Sequence, residues 1–273
     1  MLALIVAAVV QGILEWLPVS SEAFLLLVFI FFGVPPTQAL TLAIIFHLPT
    51  AFASILYYRD EYLGALRDIA KLGMSYRLRL IILATFISGL FAVPLYILLK
   101  IVFATFEQSI HRASILTVAL IGFFMFLAGI LISKQRRFGI RILTELNIRD
   151  SIFIGAIQGF AILPGITRSG ITLAAFLYRK FDRVESLKGT FILAGPISLL
   201  AFIFIVVSED IALLNPFSLE FILAIALCFI VSLGTMRALI KLAGRLDYPA
   251  FLRIFGLIML MLSLMSYYIL SFY

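Results

Sequence analysis

The sequence predicts an all-α polytopic membrane protein with six transmembrane helices and two re-entrant helical hairpins, arranged as an inverted repeat. Of the 273 residues, 64% are hydrophobic and 13% are charged, and the mean hydropathy is +1.19. Soluble domains are about 45–50% apolar and about 25% charged. A water-soluble fold cannot bury this much apolar surface, so the bilayer is the expected solvent. Helices are then the expected secondary structure, because they satisfy their own backbone hydrogen bonds.

Six apolar segments each approach the roughly 20 residues that a helix needs to cross a bilayer. They cover residues 38–58, 80–100, 113–133, 188–207, 218–240 and 251–272. The stretch from Met1 to Val10 has no basic region and no small-residue cleavage site. We therefore expect this stretch to stay in the fold rather than to act as a signal peptide.

Two further apolar stretches, residues 1–33 and 150–178, are interrupted in the middle by polar turns. The turns read Leu-Pro-Val-Ser-Ser-Glu at 17–22 and Pro-Gly-Ile-Thr-Arg-Ser-Gly at 164–170. Each arm is too short to span a bilayer comfortably. A broken backbone at membrane depth is tolerated only where it is buried in protein or lines a wet cavity. Both stretches are therefore predicted to be re-entrant hairpins.

Basic residues indicate the orientation of the chain. Lys and Arg collect in the loops at 59–79, 134–149 and 237–245, which are predicted to be cytoplasmic by the positive-inside rule. The same rule explains the formal charge of +7, so no nucleic-acid partner is expected. The first hairpin then opens outward and the second opens inward.

The two halves of the chain carry related signals. Gln11-Gly12 precedes Leu17-Pro18 much as Gln158-Gly159 precedes Leu163-Pro164, and each hairpin is followed by three predicted spans. An odd number of spans between the copies gives them opposite topology. Residues 1–133 and 150–273 are thus predicted to be inverted repeats, which usually place a polar site where two broken helices meet near the midplane.

The first turn offers a carboxylate and two hydroxyls. Gln11 and Glu15 are four residues apart, so they share one face of a helix. A carboxylate at membrane depth is costly, which favours a role in a site over the alternative of an interfacial Glu at a helix end. Ser20 and Ser21 begin the second arm, where they can cap the helix and also help to cradle an anion.

The second turn offers an arginine among hydroxyls and glycines. The guanidinium of Arg168 can bind phosphate oxygens through two parallel hydrogen bonds. The alternative is that Arg168 snorkels or forms a buried clamp with Glu15. The residues predicted to bind the anion are Ser20, Thr167, Arg168, Ser169, Gly170 and Thr172.

These motifs resemble the undecaprenyl pyrophosphate phosphatase (bacitracin-resistance) family. The resemblance rests on Gln11-x-x-x-Glu15 with Leu17-Pro18-Val19-Ser20-Ser21 and on Pro164-Gly165-Ile166-Thr167-Arg168-Ser169-Gly170-x-Thr172. It extends over nearly the whole chain, including His47-Leu48-Pro49-Thr50. It implies removal of one phosphate from a polyprenyl diphosphate lipid, dependence on a divalent cation such as Mg²⁺ or Ca²⁺, and a multi-pass protein of the cell membrane whose site opens to the extracytoplasmic side.

The resemblance also implies roles for individual residues. Glu15, Ser21 and Arg168 are expected to be catalytic, with Gln11 and Glu15 as ligands of the metal. Glu22 does not match the family motif, and we add it to the expected catalytic group only because its carboxylate directly follows the paired serines. Either Ser21 or a metal-bound water would attack the phosphorus, and the sequence does not choose between them. A homodimer is among the assemblies that the sequence leaves open.

The chain departs from the family pattern directly after the paired serines. The pattern continues with a small hydroxyl residue, Gly and His, whereas this chain has Glu22, Ala23 and Phe24. Glu22 either favours the positive end of its helix or adds a metal ligand or base. Restoring an imidazole by Phe24→His is expected to raise activity, and His47 and His111 are expected to pack in the core or at the interface. A lipid-phosphate transporter and an inactive lipid-phosphate binder remain the alternatives to a hydrolase.

Overall fold

The fold is described from a computed structural model of the chain. The structure describes residues 1–71, 73–105, 139–162, 167–208, 218–242 and 248–271, with isolated positions at 119, 122–123, 126–127, 129–130 and 133. Most of the predicted span at 113–133, together with His111, lies outside these ranges, and so do Leu163, Pro164, Gly165 and Ile166. Within the described ranges the regular secondary structure is helical.

The first half contains seven described helices. They are α1 (Leu2–Leu14), α2 (Ser21–Phe31), α3 (Pro36–Ile45), α4 (His47–Tyr57), α5 (Arg59–Ala70), α6 (Tyr76–Leu78) and, after a π-helical turn at Arg79–Leu83, α7 (Ala84–Thr105). The break between α1 and α2 contains Pro18, which donates no backbone hydrogen bond and disfavours helical geometry at Leu17. The predicted first hairpin is therefore seen as two helices joined by a polar turn.

The second half also begins with two helices that are separated by a break. Its described helices are α8 (Ile148–Gly159), followed by a 3₁₀ turn at Phe160–Ile162, α9 (Arg168–Tyr178), α10 (Arg183–Ser208), α11 (Leu219–Leu242) and α12 (Tyr248–Ser271). The side chain of Asn147 caps α8 by accepting a hydrogen bond from the Asp150 backbone N–H at 3.0 Å. The side chain of Thr167 caps α9 in the same way. Both arms of the second hairpin thus begin at a polar cap.

Three described segments are long and apolar enough to cross a membrane: Tyr76–Leu98, Arg183–Val207 and Leu219–Leu242. They correspond to three of the predicted spans. A fourth is counted if Thr41–Tyr57 and Arg59–Ala70, which meet at a bend of 77°, form one broken span. The chain is thus a multi-pass helical membrane protein, and the full count of six spans with two re-entrant hairpins stays a prediction.

The predicted span at 38–58 differs from a single straight helix. It is divided into α3 and α4, which break at Phe46. Pro49 explains the break, because its ring nitrogen cannot donate to the carbonyl of Ile45, which lies four residues earlier. The division places His47 at the start of a new helix.

The two halves interlock through close helix contacts. Helix α1 packs along α11, and α8 packs along α7, so that the first arm of each hairpin lies on a long helix of the opposite half. A Cβ atom added to Gly12 would lie 2.8 Å from the Val231 Cβ, and one added to Gly159 would lie 2.5 Å from the Phe91 Cβ. Only glycine permits these approaches. The reciprocal packing brings the two polar turns together.

Candidate active site

The carboxylate of Glu15 lies at the centre of a buried polar cluster. Its side chain is 3% exposed and follows the last residue of α1. One oxygen, Oε2, accepts hydrogen bonds from Gln11 Nε2 at 2.9 Å and from Ser21 Oγ at 2.6 Å. The structure therefore places Gln11, Glu15 and Ser21 together, as the helical spacing and the turn predict.

Arg168 occupies the other side of this carboxylate. Its Nη2 forms an ion pair with Glu15 Oε1. Its Nη1 donates hydrogen bonds to the Ala194 carbonyl at 2.9 Å and to Ser198 Oγ at 2.9 Å. The predicted alternative of a Glu15–Arg168 clamp is thus the arrangement present in this structure. These contacts hold the guanidinium in one orientation at the start of α9.

Further contacts join the two turns. Ser169 Oγ donates to the Leu17 carbonyl at 2.6 Å, and Thr167 Oγ1 accepts from the Gly170 N–H at 3.0 Å. A Cβ on Gly170 would lie 2.4 Å from Thr167 Oγ1 and 3.3 Å from the Pro18 Cβ. The prediction that the two turns lie together is confirmed by these contacts. Gly170 leaves room for the Thr167 cap at the start of α9 and packs tightly against the first turn at Pro18.

His47 approaches the same cluster from α4. Its Nε2 lies 3.7 Å from Glu15 Oε2 and 3.4 Å from Glu22 Oε1. Its Nδ1 lies 3.1 Å from the Ala43 carbonyl, which can only accept a hydrogen bond, so Nδ1 carries a proton. His47 is buried, as expected, but it faces two carboxylates rather than serving only to pack the core. No local pattern predicts this contact, because Glu22 and His47 lie on different helices.

The residues that depart from the family pattern have separate environments. The Glu22 side chain is 56% exposed at the start of α2, where it faces His47. Phe24 is half-buried and packs against a hydrophobic cluster that includes Trp16 and Leu173. Ser20 is half-buried immediately before α2. The catalytic role assigned to Glu22 and the anion-binding role assigned to Ser20 stay predictions.

A narrow pocket lies on the Arg168 side of Glu15. Its lining residues are Glu15, Trp16, Gln158, Arg168, Ser169, Thr172, Thr190, Phe191 and Ala194. Glu15, Arg168, Ser169 and Thr172 were predicted from the motifs. Trp16, Gln158 and Thr190 were not, although the match between Gln158 and Gln11 in the repeat was a usable signal for Gln158.

The donor set next to Glu15 is compatible with a hard cation. Gln11 Oε1 is buried and has no hydrogen-bond partner among the described residues, so an amide oxygen is available beside a carboxylate. The described residues contain no group of three or more His, Cys, Asp and Glu that could by itself hold a metal. Mg²⁺ is commonly bound by only one or two carboxylates together with substrate phosphates. The cluster fits that mode of binding rather than a complete protein cage.

Apolar helices of spanning length, surrounding a buried carboxylate–guanidinium pair with hydroxyls, define an integral membrane protein with an intramembrane polar site. The chain belongs to the family described as bacitracin resistance protein BacA, whose model matches residues 4–265. This confirms the resemblance found in the motifs.

Similar proteins cover nearly the same length. The chain is 34% identical over 264 residues to an undecaprenyl-diphosphatase of Methanopyrus kandleri, with 95% of each chain covered. It is 32% identical over 263 residues to an undecaprenyl-diphosphatase of Methanothrix thermoacetophila, again with 95% of each covered. A third, from Haloarcula marismortui, is 32% identical over 262 residues, covering 92% of this chain and 93% of the relative.

Proposed function

We propose that this protein is a membrane phosphatase that hydrolyses undecaprenyl diphosphate, or a closely similar polyprenyl diphosphate, to the monophosphate for recycling of the carrier lipid. The observation that carries the proposal is the buried Glu15–Arg168 pair at the meeting point of two broken helices, with Ser21 bonded to the same carboxylate. Membership of the BacA family and the names of its relatives support the substrate class.

Substrate binding is assigned to the second turn. The Arg168 guanidinium and the backbone at the start of α9 favour negative charge, because a helix N-terminus presents free N–H groups and the positive end of its dipole. Thr167, Ser169 and Thr172 are buried on this helix. Their hydroxyls, with Ser20 across the first turn, would complete the hydrogen bonding of a diphosphate that exchanges for Glu15 at Arg168.

Proton transfer is assigned to the first turn. Ser21 Oγ donates to Glu15 Oε2 at 2.6 Å, which is the geometry of a hydroxyl next to its base. Attack on the terminal phosphorus, by this hydroxyl or by a water in its place, breaks the anhydride P–O bond and releases the lipid monophosphate, while Glu15 takes the proton of the nucleophile. Attack by water releases phosphate directly, whereas attack by Ser21 forms a phosphoserine that a water then hydrolyses to phosphate. Arg168 would neutralise the charge that develops on the phosphoryl oxygens.

A divalent cation, Mg²⁺ or Ca²⁺, supplies further charge neutralisation when it is bound. Gln11 Oε1 and the Glu15 carboxylate would hold it, with Glu22 at the more exposed edge of the cluster. The unpartnered amide oxygen of Gln11 is the structural support for this part of the proposal.

The proposed arrangement in the membrane is the inverted repeat of residues 1–133 and 150–273, with six spans and a site open to the extracytoplasmic side. The distribution of Lys and Arg supports this orientation. The reciprocal packing of α1 on α11 and of α8 on α7 supports the repeat.

The decisive experiment measures phosphate release from a polyprenyl diphosphate by purified protein in nanodiscs, with and without Mg²⁺ or Ca²⁺. We expect cation-dependent release that Glu15→Gln abolishes. Glu61→Gln is the matched control, because Glu61 bonds Tyr76 and Arg77 outside this pocket. Absence of release by the folded wild type would contradict the proposal, and leaflet-resolved lipid movement in vesicles would then separate a transporter from a binder.

A further inference from the structure

Gln158 is a buried amide that has no hydrogen-bond partner in the described parts of the structure. The residue is 3% exposed on α8, and neither Oε1 nor Nε2 has a hydrogen-bond partner among the described residues. Buried polar groups are normally hydrogen-bonded, because an unpaired group loses its interaction with water and gains nothing in return. A side chain that packs only for structure would be better replaced here by an apolar residue.

Two more unpartnered groups line the same pocket. Thr172 Oγ1 and Trp16 Nε1 also lack partners among the described residues, and these residues are 1% and 2% exposed. Together with Arg168 they line one side of the Glu15 carboxylate. The indole N–H and the guanidinium can only donate hydrogen bonds, and the amide and hydroxyl can also donate. This set of groups is suited to a ligand rich in acceptor oxygens.

Comparison of the two repeats shows why Gln158 has no partner within the described part of the chain. Its counterpart Gln11 donates to the carboxylate four residues later, Glu15. The residue four positions after Gln158 is Ile162, which offers no acceptor in its side chain. The second hairpin therefore presents the same amide without the carboxylate. A bound anion would take the place that the carboxylate has in the first hairpin.

We propose that Gln158, Trp16 and Thr172 form a second phosphate subsite, which holds one phosphate of the diphosphate while the other faces Ser21. Ser21 donates a hydrogen bond to Glu15 Oε2, whereas Arg168 pairs with the other carboxylate oxygen, Oε1. Ser21 does not line this pocket. The inference rests on the proposed function for its substrate class. Its consequence is discrimination: the protein binds a lipid diphosphate more tightly than the corresponding monophosphate, because only the diphosphate fills both positions.

Trp16 allows binding to be measured without turnover. It is the only tryptophan of the chain, and its ring contacts Phe191 edge-on with centroids 5.0 Å apart at the pocket. The experiment follows Trp16 fluorescence while wild-type protein in detergent is titrated with a non-hydrolysable polyprenyl methylenediphosphonate and, separately, with the polyprenyl monophosphate. We expect an emission change with both ligands and tighter binding of the diphosphonate.

The test variant is Gln158→Met, which keeps the size of the side chain and removes its hydrogen bonds. We expect its affinity for the diphosphonate to fall about 10-fold to 100-fold, as for loss of a hydrogen bond to a charged group. Its affinity for the monophosphate should change much less. Its unfolding temperature should stay the same or rise, because an unpartnered buried amide is removed. A purely structural role for Gln158 would instead lower the unfolding temperature.

Thr85→Val is the matched control, because Thr85 Oγ1 is also buried and unpartnered among the described residues but does not line the pocket. Its affinity should equal that of the wild type. Trp16→Phe removes the indole donor and keeps an aromatic ring, and calorimetry should show weaker diphosphonate binding. Thr172→Val tests the same subsite if Gln158→Met does not fold.

The outcomes separate this inference from the proposed function. Unchanged diphosphonate affinity in Gln158→Met, or in Thr172→Val as its substitute, overturns the subsite even if the wild type releases phosphate. Failure of the wild type to bind the diphosphonate overturns it as well. Affinity that depends on Gln158 in a protein that releases no phosphate supports the subsite and contradicts the hydrolase.

Discussion

Arg168 is held by three protein acceptors that are divided between its two terminal nitrogens. They are Glu15 Oε1, the Ala194 carbonyl and Ser198 Oγ. The planar guanidinium reaches all three with two nitrogens, and the same fork suits two oxygens of a phosphate. The positive charge alone is therefore insufficient at this position.

Arg168→Lys should lower phosphate release by about 10²-fold or more, the usual effect of losing a donor that stabilises developing charge. The measurement is turnover at saturating lipid diphosphate. Arg179→Lys is the control, because Arg179 also pairs with a carboxylate, Asp150, but does not line the pocket. Equal turnover in Arg168→Lys and wild type would show that Arg168 has only a structural role.

The imidazole near the carboxylates comes from His47 rather than from the position of Phe24. His47 Nε2 faces Glu15 and Glu22, whereas Phe24 packs against the core cluster. The family motif predicts a gain from Phe24→His, and the structure changes this expectation. Because an imidazole already lies at the cluster, the gain should be small.

His47→Gln should lower turnover by about 10²–10⁴-fold, the range for loss of a group that transfers protons. A glutamine amide can still donate to the Ala43 carbonyl, so the unfolding temperature should change little. Phosphate release is compared for wild type, His47→Gln and Phe24→His. Full activity of a folded His47→Gln would contradict a role for this imidazole in turnover.

At the scale of elements, Asp150 ties the second hairpin together. Its side chain is fully buried at the start of α8 and accepts hydrogen bonds from Arg141 Nη2 at 2.6 Å and from Arg179 Nε at 2.6 Å. Arg141 precedes α8 and Arg179 follows α9. Burial opposes ionisation, but hydrogen bonds from Arg141, the Asn147 backbone N–H and Arg179 outweigh it and lower the pKa of Asp150 below its usual 3.8.

Asp150→Asn should lower the free energy of unfolding by about 2–3 kcal/mol, somewhat less than for a fully buried pair because both arginines are partly exposed. A lowered pKa stabilises the fold above the unfolded-state value, and this stabilisation is lost as the pH falls through the folded-state value. Wild-type stability should therefore decline below about pH 4 more steeply than that of the variant. Unfolding is followed by Trp16 fluorescence, with Glu145→Gln, an exposed carboxylate of the same loop, as control. A variant as stable as wild type at pH 7 would contradict this role for Asp150.

At the scale of the whole molecule, the site exists only where the halves interlock. Glu15 and Ser21 come from the first half, and Arg168 and Ser169 come from the second. The glycine contacts of α1 on α11 and of α8 on α7 set the approach of the hairpins. A change in the packing of either pair is therefore expected to move the carboxylate relative to the guanidinium.

The orientation of the halves can be tested with a thiol reagent that does not cross membranes. The single cysteine, Cys228, is fully buried, so the wild type is a low-background control. Gly73→Cys and Thr144→Cys should react only after the cytoplasmic side is opened, and Phe32→Cys should react in intact cells. Labelling of residues 73 and 144 from opposite sides would contradict the inverted repeat.

Local patterns predicted much of the site and part of the fold. The spacing of Gln11 and Glu15 predicted a shared face, and the broken stretches predicted the turns after α1 and before α9. The division of the predicted span at 38–58 was missed, although Pro49 marked it. Trp16, Gln158 and His47 were missed as site residues. His47 and Gln158 reach the cluster from helices that are distant in the sequence from Glu15, although the match of Gln158 to Gln11 was a usable signal. Trp16 directly follows Glu15, but an aromatic residue in an apolar segment is an ordinary packing residue from its sequence alone.

The sequence by itself determined that this is an α-helical membrane protein. Its apolar composition requires a lipid environment, and a backbone in lipid must satisfy its own hydrogen bonds. It also determined where helices break, because prolines and polar caps act on their immediate neighbours. Only the tertiary structure decided that Arg168 meets Glu15 and that His47 faces the same carboxylate. It also decided that Gln158 has no partner among the residues that the structure describes. Such pairings depend on how closely whole helices approach, which is set by packing between residues far apart in the chain.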